Sequence, residues 1–160
     1  MTENRPISGA LRSVLVRPVL ARSPLALYGA GLGGLLGRGL LRLEHRGRVS
    51  GKRRYAVLEV VDRPRPGVLR VVSGLGTDSQ WFRNIQAEPK VQVSNGWGPS
   101  VPATAHVLAA PEAAQTFERY EAVHPWRWAA LERTVREHVP AGSTLAQALP
   151  VVDLVLDDRS

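Results

Sequence analysis

The chain contains no cysteine. That excludes a disulfide scaffold, thiolate zinc, iron–sulfur chemistry and a cysteine nucleophile. It fits a reducing compartment, so a cytoplasmic location is expected. Long apolar runs are missing too. The longest uncharged stretch of the N-terminal third, residues 23–37, is fifteen residues with five Gly and one Pro, short of the ~18 needed to span a bilayer. Arg12, Arg17 and Arg22 interrupt the apolar residues upstream of it, which does not fit a secretory signal. Familiar catalytic sets are also absent. No G-x-S-x-G elbow, P-loop or kinase set is found. His45, His106, His124 and His138 show no metal-ligand spacing, so no metal site is expected. The only adjacent carboxylates, Asp157 and Asp158, fall near the C-terminus. The glycines at 29, 31, 33 and 34 do not follow a strand and have no acid at the distance a dinucleotide fingerprint requires.

What is present is one ordinary globular domain. At 160 residues, roughly two thirds of the unfolded chain's surface is buried on folding. With 44% hydrophobic and 22% charged residues, the composition is that of a folded protein. Fifteen Gly and twelve Pro imply short elements and many turns. Net charge is +7, carried by nineteen Arg and only two Lys, and the whole excess lies in residues 1–54. A localised basic cluster suits nucleic acid, an anionic membrane surface or a phosphorylated small molecule.

The hydrophobic period divides the chain into an apolar, basic N-terminal segment, residues 1–37, and a body, residues 38–160. The first reads as terminal helix docked on the body or as a segment lying on a membrane surface through residues 11–36. From residue 40 the period is two: Leu41 and Leu43 alternate with Arg42 and Glu44. Strands are expected at 40–46, 54–62, 68–73, 90–94, 101–108 and 151–156, with turns at 47–52 and 64–67. A loop is expected at 74–79 and short helices at 80–87, from Pro111 to about 124, and at 126–138. Six closely spaced strands leave no room for repeated parallel crossovers. They predict an α+β, mainly antiparallel barrel or sandwich with a few peripheral helices.

Four segments carry candidate chemistry. Arg46-Gly47-Arg48-Val49-Ser50-Gly51-Lys52-Arg53-Arg54 places five cations on a Gly-containing turn. Turn amides converge on anions, and Arg forks match phosphate oxygens; a solvated hairpin tip has the same look. Ser73-Gly74-Leu75-Gly76 ends a strand, where ligand contacts are common. Trp81 and Ile85 share a helical face, as core or as groove wall. Tyr120, His124, Trp126 and Trp128 surround Pro125 and read as an apolar substrate pocket or as packing. An anion-ready turn without acid–base machinery suggests that a cofactor brings the chemistry.

In order, these segments resemble the deazaflavin-dependent nitroreductase family. The resemblance rests on "GRVSGKRRYAVL" (47–58), "VVSGLG" (71–76), "WFRNIQAEPKVQV" (81–93) and, more loosely, "LPVVDLVL" (149–156). It implies a split β-barrel of the FMN-binding type and an oxidoreductase that transfers hydride from reduced coenzyme F-420 to a quinone, enone or nitro compound. It implies that Arg48, Ser50, Gly51 and Arg54 hold the coenzyme's phosphate and tail. Val57 and Leu58 would lie beside its ring, with Ser73 and Gly74 near ring and phosphate and Trp81 and Asn84 closing the groove. Ser73 would act as a catalytic hydroxyl donor to a developing oxyanion, and Tyr120, His124 and Trp126 would face the substrate. Val49 and Gly74 stand where the family commonly has Lys, and the 73–81 loop is about two residues shorter than is usual there, within ordinary loop variation. The alternatives are an FMN-dependent enzyme on the same barrel and a non-catalytic binder of cofactor or lipid. The expected partners are a small-molecule acceptor, an anionic membrane surface on the cytoplasmic face and a second copy of the chain. Nucleic acid is not expected, because no stacking aromatics interleave the basic run.

Overall fold

The computed structural model describes residues 39–95, 98–136 and 139–158. The expected N-terminal segment, and with it the membrane contact through residues 11–36, lies outside them. Six strands follow the alternating pattern: β1 (Leu40–Arg46), β2 (Arg53–Asp62), β3 (Val68–Val72), β4 (Lys90–Asn95), β5 (Val101–Val107) and β6 (Val151–Leu156). They close into a barrel in the order β1-β2-β3-β6-β5-β4, with every neighbouring pair antiparallel. In β1, Leu41, Leu43 and His45 are buried while Arg42 and Glu44 are only half-buried. The period-two reading thus becomes an inside and an outside. The interior is filled by side chains such as Leu41, Leu43, Leu69, Val93 and Leu154, each contributing about 1.5–3 kcal/mol by leaving water.

Helix α1 (Gln80–Ala87) sends Trp81, Phe82 and Ile85 into the barrel core. It lies at the end of the barrel where β1 turns into β2 and where β3 finishes. Helix α2 (Ala110–Val123) carries Pro at its N-terminus and buries Ala113, Thr116, Phe117 and Tyr120, a three–four spacing, of which Ala113 and Phe117 join Leu149 and Val151 in a second apolar cluster. Arg70 of β3 fixes it to the barrel. Its guanidinium donates to both carboxylate oxygens of Asp153 (2.6 and 2.9 Å) and to Thr116 Oγ1 (3.0 Å). The bond to Asp153 raises its pKa further and keeps it charged. Helix α3 (Pro125–Val135) returns so that Trp128 meets Phe117 at 5.5 Å between ring centroids.

Strand bounds agree with the sequence reading to within a residue. The helix expected at 126–138 runs from Pro125 to Val135. The expected loop at 74–79 contains a 3-10 turn, Gly76–Asp78. A further helix, α4 (Leu145–Ala148), was not expected; its signal was the capping box of Thr144 with Gln147. Among the described residues no helix is long and apolar enough to cross a membrane, and no group of side chains is arranged to hold a metal.

Candidate functional site

The basic turn is built by three glycine-dependent features. Gly47 donates to the Lys52 carbonyl (2.9 Å) and accepts from the Gly51 amide (2.8 Å), which closes the loop. Gly51 has φ +67°, a conformation that disfavours other residues. A Cβ at Gly47 would stand 2.9 Å from Ser50 Oγ and 3.8 Å from Arg54 Nε. The missing side chain therefore lets the Ser50 hydroxyl pack directly against the turn backbone, in space that a Cβ would claim. The amides of Val49 and Ser50 meet no acceptor among the described residues.

Of the five cations, Arg53 is paired with Glu44 (3.4 Å) and Arg46 donates to the Gly51 carbonyl (3.2 Å). Arg48, Lys52 and Arg54 have no carboxylate partner among the described residues. Arg48 is nonetheless fixed. Its backbone N–H donates to Asn84 Oδ1 (3.1 Å), and its Nη1 donates to Asn84 Oδ1 (2.9 Å) and Gln80 Oε1 (3.0 Å). Asn84 is only 4% exposed, and its amide nitrogen lies 3.1 Å from His45 Nδ1. The imidazole is held near pKa 4, first by burial and then by the neighbouring Arg54 charge. The turn thus holds one hydroxyl, two open amides and unpaired guanidinium charge, the groups that a phosphate or carboxylate takes as partners.

The other expected residues are placed less uniformly. Ser73 is fully buried, and its hydroxyl donates to the Gly76 carbonyl at 2.7 Å. Its one proton is thus donated within its own turn. Gly74 is half-buried in that turn. Leu58 points into the barrel and belongs to the core, so only Val57 of that pair, half-buried, lies on the strand's other face. Trp81 is also core, meeting Phe82 edge-on at 6.1 Å. Asn84 is a tether of Arg48. Of these residues, Arg48 and Asn84 are in direct contact, which joins the 47–54 turn to α1.

Tyr120, His124 and Trp126 stand apart from them. The Tyr120 hydroxyl donates to Glu59 Oε1 (3.0 Å), five residues along β2 from Arg54, or roughly 16 Å. Tyr120 is buried, His124 is half-buried with its ring 5.3 Å from that of Tyr120, and Trp126 is 70% exposed. Val49 is 93% exposed. The sequence reading missed His45 and Gln80. A polar His45 at an inward position of the Leu41–Leu43 alternation was the available signal. A hollow of about 720 Å³ between Pro64, Val68, Val93, Val101 and Leu156 opens at the opposite barrel end and shares none of these residues.

A family model described as F420H(2)-dependent quinone reductase matches residues 26–140. The chain belongs to that family. It is therefore an oxidoreductase that depends on coenzyme F-420, and this decides between the deazaflavin and FMN. Solved structures agree on the fold. An F420-H2 dependent reductase is 24% identical, with 73% of this chain and 94% of that one covered and a TM-score of 0.52. A chain described as a domain-swapped dimer is 23% identical, with 73% and 80% covered and a TM-score of 0.52. The heme storage protein HutZ from Vibrio cholerae is 11% identical, with 78% and 85% covered and a TM-score of 0.53. No curated protein matches the sequence. As an F420H(2)-dependent quinone reductase family member, the chain has a split β-barrel.

Proposed function

We propose that the protein reduces a lipophilic quinone, in preference to an enone or nitro compound, with its coenzyme anchored at the 47–54 turn. The observation that carries the anchor is the set of cations on this turn, Arg48, Lys52 and Arg54, that have no carboxylate partner among the described residues. When bound, the reduced deazaflavin supplies a hydride, and the quinone takes up that hydride and a proton. The protein's part is to bind and to orient. Arg54, Ser50 and the Val49 and Ser50 amides grip the anion, and Arg48 adds fixed positive charge beside it. Val57 lies on β2 between this anchor and Tyr120. Tyr120, held by Glu59, with His124 and Trp126, forms an aromatic wall for a flat apolar acceptor. A second copy of the chain is its proposed partner, in keeping with the domain-swapped neighbour.

Anaerobic oxidation of reduced F-420, followed optically against a soluble quinone, an enone and a nitroaromatic compound, tests this reading. The quinone should give the highest kcat/KM, and Trp126→Ala should raise its KM several-fold with coenzyme affinity unchanged, as loss of an apolar contact does. Coenzyme binding without oxidation by any acceptor would instead establish a carrier. Sedimentation equilibrium on the same preparation should read the mass of two chains; a single-chain mass removes the pairing.

A further inference from the structure

We propose that His45 is a positioning residue for coenzyme binding: through Asn84 it holds Arg48, and hence the 47–54 turn, in the geometry that receives the anion. The inference rests on the assignment of that turn as the coenzyme anchor. Its basis is a directed chain of hydrogen bonds. Asn84 Oδ1 accepts twice from Arg48, at 3.1 Å from the backbone N–H and 2.9 Å from Nη1. Its amide NH₂ must then face His45, 3.1 Å away, so Nδ1 is the acceptor and the ring proton sits on Nε2. A protonated ring would present a donor to a donor. The amide would have to turn over, and Arg48 would lose its acceptor.

Two features separate this from simple core packing. First, among the described residues Arg48 is tethered only by the neutral amides of Asn84 and Gln80. Its position is fixed while its full charge stays available to a ligand, which is what preorganised anion binding requires. Second, His45 occupies an inward β position after Leu41 and Leu43, where an apolar side chain would pack at lower desolvation cost. What the ring adds there is an acceptor. Burial and Arg54, its partner across the β1–β2 register, both oppose protonation and so preserve that acceptor.

The test pairs amide hydrogen exchange on the ligand-free protein with binding of oxidised F-420. His45→Phe fills the site without an acceptor. It should lose about tenfold in protection of the Arg48 amide and about tenfold in coenzyme affinity, as expected for a lost charge-assisted bond. His45→Asn, whose side-chain oxygen can take the place of Nδ1, should restore both to within about threefold. Asn84→Asp guards against a variant that fails to fold: it should keep Arg48 protected but, by neutralising its charge, weaken coenzyme binding about tenfold. Wild-type behaviour of His45→Phe, failure of His45→Asn to rescue, or wild-type affinity of Asn84→Asp overturns the inference. A wild-type protein that does not bind F-420 removes the anchor assignment instead, while the exchange results still decide whether His45 holds Arg48.

Discussion

At the scale of single residues, the barrel end that carries the proposed anchor depends on which groups are charged and which are neutral. His45 is the clearest case. Its pKa falls from the usual 6.5 to about 4 in the folded protein. The unfolded chain therefore takes up this proton first as pH falls. Stability contributed by the neutral ring is fully present above 6.5, declines between 6.5 and about 4, and is gone below; the span is worth about 3 kcal/mol. Charged groups around the ring include Arg54 and Arg53 from β2, Glu44 and Arg46 from β1, Lys90 from β4 and Asp157 beyond β6. Urea unfolding of wild type and His45→Asn at pH 7 and pH 4.5 should show the acid loss only in wild type. Equal losses would assign the slope to other groups. Ser73 teaches the converse. As a hydroxyl at a strand end it reads as a donor to ligand, yet its proton goes to Gly76, because the 3-10 turn that follows brings that carbonyl within 2.7 Å.

Among the elements, what could be read in advance was whatever is encoded locally. The strands are half-buried, so each writes its inside and outside into a period of two, and all six were placed. Helix α1 declared itself by Trp81 and Ile85 and by the Pro that follows. The closure was not legible. The pairings β1–β4 and β3–β6 join residues as distant as Val71 and Val152, and no local pattern names a strand's partner. For the same reason Arg48, Ser50 and Arg54 were found as an anion-ready turn, while the Asn84–Arg48 tether, which crosses between elements, was not. The Arg70–Asp153 pair is another such cross-link, joining β3, β6 and, through Thr116, helix α2. Breaking a buried pair by removing one partner is costly. Arg70→Met should lower unfolding free energy by about 3 kcal/mol, read as a shift in the urea midpoint at unchanged slope. A shift equivalent to less than about 1 kcal/mol would reduce the pair to an ordinary surface bridge.

For the molecule as a whole, the barrel is a scaffold and the chemistry is borrowed. Fold alone does not give function; here the family match supplies the coenzyme, and the place proposed for its charge is the 47–54 turn. The net +7 is concentrated in the first third of the sequence. The structure brings part of it, on the β1–β2 turn, to the barrel end that α1 covers. The central claim is that this turn grips the coenzyme. Fluorescence titration of oxidised F-420 into wild type and Arg54→Ala tests it most directly. The exposed Arg54 should leave folding intact when removed, while affinity falls at least about tenfold, the measure of one charge-assisted contact. Equal affinities in the two proteins would mean that the coenzyme is held elsewhere.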